Sequence, residues 1–90
     1  MRQFIVALMA LLIATASLAA VDVNTATEAE LDGIRGIGPA LSGRILKARQ
    51  QGPFKDWADL MQRVKGIQPK SARHLTEAGL TVNGAGYAAR

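Results

Sequence analysis

The sequence has no cysteine and a single histidine, His74. The first absence excludes disulfides, a cysteine-based zinc site and a lipid-modified N-terminal cysteine. The second excludes a histidine-rich metal site and a histidine pair for acid–base work. Aromatic side chains are scarce, with only Phe4, Phe54, Trp57 and Tyr87. No two acids stand where their spacing suggests a catalytic cleft. The chain is therefore not expected to be an enzyme, and no cofactor is expected. Ninety residues allow one small domain.

The one long apolar run is N-terminal. Met1-Arg2-Gln3 carries a positive charge, and Phe4 to Ala16 is almost wholly apolar. Ser17-Leu18-Ala19 then puts small residues at the two positions a signal peptidase reads, so cleavage is expected after Ala19. Leu18 disfavours cleavage after Ala20. The competing reading is an uncleaved anchor. The run to Val21 is at the short limit for a span of roughly 20 residues, and Thr15 and Ser17 dilute it. The expected organisation is a signal peptide over 1–19, a folded domain over 20–82 and a disordered tail over 83–90. The mature protein is then periplasmic or secreted, with no stable membrane insertion.

Charge is unevenly placed. Without Arg2, 10 basic residues face 7 acidic ones. Asp22, Glu28, Glu30 and Asp32 all come early. From Gly33 onward, 10 basic residues stand against Asp56, Asp59 and Glu77. A basic body of this kind favours a polyanion partner.

Ile34-Arg35-Gly36-Ile37-Gly38-Pro39-Ala40 lies between two helical patterns and suits a hairpin. Gly36 can take the left-handed conformation and end the first helix. Pro39 suits the first turn of the next helix. Ile37 is the hairpin's one apolar side chain and is expected to turn inward. Gly38 has no side chain to block approach. The N–H groups of Gly38 and Ala40, at the positive end of a helix, then make an anion site.

The rest of the chain reads as helices. Thr27-Glu28-Ala29-Glu30 is a capping box, starting a helix from Glu28 to about Arg35 with Leu31 and Ile34 inward. A second helix is expected from Pro39 to about Gln51. It carries Leu41, Ile45 and Ala48 on one face and Ala40, Arg44, Lys47 and Gln51 on another. Gly52 and Pro53 end it, and Phe54 is expected to be buried. Asp56 caps a third helix whose Trp57, Leu60, Met61 and Val64 form a helical stripe. A fourth runs to about Ala78, Gly79 ends it, and Leu80 and Val82 fold back as a flap. No strand is expected.

A shift of 30 residues brings Ile34 onto Val64, Arg35 onto Lys65, Gly36 onto Gly66, Ile37 onto Ile67, Pro39 onto Pro69 and Ile45 onto Leu75. Two helix–hairpin–helix units thus follow one another. Neither can bury its apolar face alone, so they should pack about a pseudo-twofold axis with both hairpins on one side. Paired hairpins suit two phosphate strands flanking a groove. Phosphate contacts carry no sequence information directly, so the binding expected is sequence-independent. The expected fold class is all-α, a tandem helix-hairpin-helix of the compact SAM-like kind.

Val23 to Val82 resembles the tandem helix-hairpin-helix domain of ComEA-type competence proteins. The matching pieces are Val23-Asn24-Thr25-Ala26, Gly36-Ile37-Gly38-Pro39, Gly52-Pro53-Phe54 and Val64-Lys65-Gly66-Ile67. The resemblance implies a secreted or periplasmic receptor for incoming double-stranded DNA in natural transformation. It implies pilus or uptake-channel proteins as further partners. By position it implies phosphate-contacting backbone at Gly36, Gly38 and Ala40, and at Gly66 and Lys70. With the hairpin and the basic helix face, the DNA-binding set is Gly36, Ile37, Gly38, Ala40, Arg44, Lys47, Lys65, Gly66 and Lys70.

Two positions depart from the family's pattern. Gln68 stands where the hairpin glycine usually repeats, and it is expected either to obstruct a phosphate or to hold the backbone away from the required conformation; the opposing reading is a hydrogen bond from its amide to phosphate. Leu41 stands where many members have a basic residue. The alternative function is a structural or protein-interaction module of the same fold, as in an extrinsic photosystem subunit. The basic face at Arg44 and Lys47 argues against it.

The leader generates the first prediction. Protein recovered from a periplasmic fraction should begin at Ala20 on N-terminal sequencing. Retention of Met1 in a membrane fraction would overturn it.

Overall fold

The computed structural model describes residues 20–88. The expected signal peptide, 1–19, lies outside the described residues. Those residues form β1 (Val21–Asp22), α1 (Glu28–Asp32), α2 (Pro39–Arg49), α3 (Trp57–Arg63), α4 (Pro69–Glu77) and β2 (Leu80–Thr81). None of the described helices is long and apolar enough to cross a membrane.

Each helix starts where a side chain or a proline settles its first turn. Thr27 Oγ1 accepts the Glu30 N–H at 3.1 Å, and the Glu30 carboxylate accepts the Thr27 N–H at 2.8 Å. This closes the capping box and places acids at the positive end of α1. Asp56 caps α3 by accepting the Asp59 N–H at 2.8 Å. Pro39 and Pro69 open α2 and α4, where a missing N–H leaves no bond unmade. α1 stops at Asp32, short of the expected Arg35. Beyond Gly33 the Ile34 N–H turns to the Leu31 carbonyl three residues back, at 3.0 Å, and the α-helical ladder is lost.

The core gathers the expected apolar positions. Leu31, Ile34 and Ile37 are buried with Ile45, Phe54, Trp57, Leu60, Val64, Ile67, Leu75, Leu80 and Val82. Met61 is only half-buried at its edge. Ser42 is fully buried too, and its hydroxyl donates to the Pro39 carbonyl at 3.2 Å. That bond satisfies the one buried polar residue among the described residues.

The expectation of no sheet is corrected. β1 and β2 pair in parallel, with Val21 opposite Leu80 and Asp22 opposite Thr81. The flap does fold back, with Leu80 and Val82 buried. Burial takes its backbone out of water, so its polar groups need partners. The N-terminal segment supplies them: the Val21 N–H donates to the Gly79 carbonyl and the Val23 N–H to the Thr81 carbonyl, both at 2.9 Å. β-branched Val21, Val23, Thr81 and Val82 suit extended backbone. Parallel pairing needs a long crossover, and here the four helices provide it.

Residues 83–88 also differ from the expected disordered tail. Val82 and Ala85 form an antiparallel bridge. The buried indole of Trp57 needs an acceptor for its N–H, and the Ala85 carbonyl provides one at 2.9 Å. Tyr87 then meets Trp57 edge-on, with ring centroids 5.9 Å apart. Its N–H donates to Thr76 Oγ1 at 2.8 Å. Gly86 lies so near Thr76 that a Cβ would fall 2.7 Å from its methyl group.

Gly52 to Lys55, between α2 and α3, has no regular structure. Asn24 binds it with both ends of its amide: Oδ1 accepts the Phe54 N–H at 2.7 Å and Nδ2 donates to the Phe54 carbonyl at 2.9 Å. Asn83 Nδ2 donates to the Phe54 and Lys55 carbonyls. From the other side, Arg63 donates to the carbonyls of Ala48, Gly52 and Pro53 and lies 4.4 Å above the Phe54 ring.

Asp22 ties the two ends together. Burial works against its ionisation, but hydrogen bonds from the Asn24 N–H, the Gly84 N–H and the Thr81 hydroxyl outweigh burial. They hold its carboxyl below the ordinary aspartate value. A carboxyl whose pKa is lower folded than unfolded stabilises the fold above a pH of about 4. That contribution is lost as the pH falls through the folded value. Asp22→Asn should therefore destabilise the fold at pH 7 by about 1 kcal/mol, a modest amount because solvent reaches the group. Thermal melts followed by circular dichroism should show the gap between variant and wild type closing towards pH 2. A gap independent of pH would mean that the charge of Asp22 is not what matters.

Candidate nucleic-acid interface

The turn between α1 and α2 is built as the hairpin pattern requires. Gly36 has φ +100°, in the left-handed region where other residues are strained. Ile37 is buried, and its N–H donates to the Ile34 carbonyl at 3.0 Å. Its side chain turns inward as expected and its N–H is engaged, so Ile37 positions the hairpin. Gly38 is exposed and extended, with φ −97° and ψ 178°. A Cβ at Gly38 would meet nothing within 4 Å, so approach from outside is open. Among the described residues, the N–H groups of Gly38 and Ala40 have no acceptor. They are the open donors of an eleven-residue helix that starts at Pro39.

The turn between α3 and α4 repeats this geometry with one difference. Gly66 has φ +106°, Ile67 is fully buried, and its N–H donates to the Val64 carbonyl at 3.4 Å. Gln68 is extended, with φ −123° and ψ 170°, much like Gly38. The expectation that Gln68 pulls the backbone out of conformation is thereby corrected: extended backbone is open to any residue. What does change is the donor. Ser71 Oγ accepts the Gln68 N–H at 2.9 Å and donates onward to the Gln68 carbonyl at 3.1 Å. At the matching place in the first hairpin stands Leu41, which cannot do this. The second hairpin therefore offers the Lys70 N–H but not that of Gln68. The Gln68-Pro69-Lys70-Ser71 spacing carried this signal, because a hydroxyl three residues after a cap position can reach back to it.

The side chains of α2 reach the second hairpin. Arg44 passes so close to Gly66 that a Cβ there would sit 3.3 Å from its Nη2. Arg44, Lys47 and Lys65 line one open cleft of about 470 Å³, together with Gln51 and Arg63. All three are exposed, and neither of the two ion pairs among the described residues involves them. Lys70 is exposed as well, at the start of α4. A second cleft of about 680 Å³ lies between α4 and the first hairpin, lined by Arg35, Gly36, Ser71, His74 and Glu77 among others.

Not every cation belongs to this surface. Arg49 donates to the Val23 and Ala26 carbonyls at 3.0 and 2.8 Å, which holds the N-terminal segment. Arg63 is engaged by the linker carbonyls and pairs with Asp59 at 3.1 Å. Charge counting made no distinction between these arginines and the free ones. The structure assigns both to the scaffold.

The two hairpin glycines separate fold from site. Gly36→Ala should destabilise by about 1–2 kcal/mol, because a Cβ is strained at positive φ. Gly38→Ala should cost less than about 1 kcal/mol, the difference between alanine and glycine at an N-cap. Thermal melts of the two variants check this. Equal destabilisation would contradict the open surroundings of Gly38.

No curated protein matches the chain. The helix-hairpin-helix motif family matches residues 17–78, more than half of its length. The chain belongs to that family, and its motif points to nucleic-acid binding.

Proposed function

We propose that this protein binds double-stranded DNA without regard to sequence, through phosphates. In this reading it acts as a periplasmic or secreted ComEA-type receptor in DNA uptake. The observation that carries the reading is the concurrence of open donors and free cations: the unpartnered N–H groups of Gly38 and Ala40, and the unpaired Arg44, Lys47 and Lys65. Backbone N–H groups at a helix start favour anions, and unpaired cations add charge that displaces counterions from DNA. The matching φ values of Gly36 and Gly66 support a further element of the proposal, two units related by a pseudo-twofold axis. On that arrangement each hairpin meets one strand. Arrival by export and contact with pilus or channel proteins complete the role.

Titration of the mature protein on a random duplex at several salt concentrations tests the reading. Three to five phosphate contacts should give a slope of log affinity against log salt near −3 to −4, at about −0.9 per contact. Arg44→Ala or Lys47→Ala should each flatten the slope by about one unit. Duplexes of different sequence should bind alike. Absence of salt-dependent binding would favour a protein-interaction module instead.

A further inference from the structure

The two clefts correspond under the same shift of 30 residues that relates the hairpins. Arg44 becomes His74, Lys47 becomes Glu77, and Lys65 becomes Arg35. The first cleft therefore presents three unpaired cations. The second presents one cation, one carboxylate and a histidine, with His74 Nδ1 3.9 Å from the Glu77 carboxylate. With histidine counted as neutral at pH 7, its three side chains sum to zero charge. Both clefts border a hairpin, and they differ in side-chain charge.

We infer that the protein grips DNA unequally: the Arg44–Lys47–Lys65 cleft holds phosphates electrostatically, and Glu77 silences its counterpart. The inference rests on the DNA-binding reading above. Physically, the Glu77 carboxylate in the same cleft as Arg35 keeps a phosphate from settling there, so the second cleft has no phosphate contact to lose. A phosphate approaching the first meets cations only. The hairpins are unequal in the opposite sense. The first keeps its Gly38 N–H free, whereas Ser71 occupies that of Gln68. Backbone donors thus act beside the neutral cleft, and side-chain charge acts beside the hairpin with the closed donor. Most counterion release, and so most salt dependence, belongs to one cleft.

Three variants of exposed residues test this on one random duplex, titrated across several salt concentrations. Circular dichroism first confirms that each variant is folded. The double variant Arg44→Gln/Lys47→Gln should flatten the salt slope by about two units. The double variant Arg35→Gln/His74→Gln should change it by less than about half a unit. Glu77→Lys, which gives the second cleft the counterpart of Lys47, should tighten binding and steepen the slope by about one unit. Equal flattening by the two double variants, or an unchanged slope in Glu77→Lys, would overturn the inference. A wild-type protein that does not bind the duplex would instead sink the DNA-binding reading itself, before any variant is compared.

Discussion

The segment Gly52–Lys55 joins the two halves of the helical domain and has no ladder of its own to satisfy its backbone. Its carbonyls and the Phe54 N–H have to be met by side chains, because buried peptide groups without partners are costly. Asn24 and Asn83 meet them from one side and Arg63 from the other. Phe54 is thereby held in the core beneath the guanidinium of Arg63. The rest follows from this fixed joint. It sets where α2 lies relative to α3, and hence whether Arg44 can lie across Gly66. A looser joint would leave the same residues on the surface but would not bring Lys65 of one half beside Arg44 and Lys47 of the other.

Much of this was legible in the chain, because the signals were local. The capping box of Thr27 and Glu30, the cap at Asp56 and the prolines opening α2 and α4 are read from four or five residues each. Inward-facing Leu31, Ile45, Leu60 and Leu75 follow from helical spacing. Gly36 and Gly66 could be read as positive-φ positions because nothing else suits the turns. What was not legible depends on pairings across the fold. The bond between the Val23 N–H and the Thr81 carbonyl spans most of the domain. No pattern within either segment announces it. The docking of residues 83–88 likewise depends on an indole N–H made accessible by the fold of α3.

The candidate site shows the same division. Gly38, Ala40, Arg44 and Lys47 could be named from spacing on one helix. That Lys65 joins Arg44 and Lys47 in a cleft required the packing of the two halves. So did the withdrawal of Arg49 and Arg63 into scaffold roles. Both arginines carry full charge, but their guanidinium groups serve five carbonyls between them. A guanidinium presents several donors in a fixed plane and suits such work better than an ammonium would. Formal net charge therefore overstates what this surface can offer to an anion.

The parallel pairing of β1 with β2 has a mechanical consequence. The chain enters the domain at the start of β1 and leaves it beyond the end of β2, and the two strands run the same way. Tension between the two ends therefore pulls the strands along their own axes in opposite directions. Every bond of the ladder is loaded together in shear, whereas an antiparallel closure at the same place would peel open one bond at a time. Such a load reaches the ladder only after residues 83–88 have been pulled from Trp57 and Thr76.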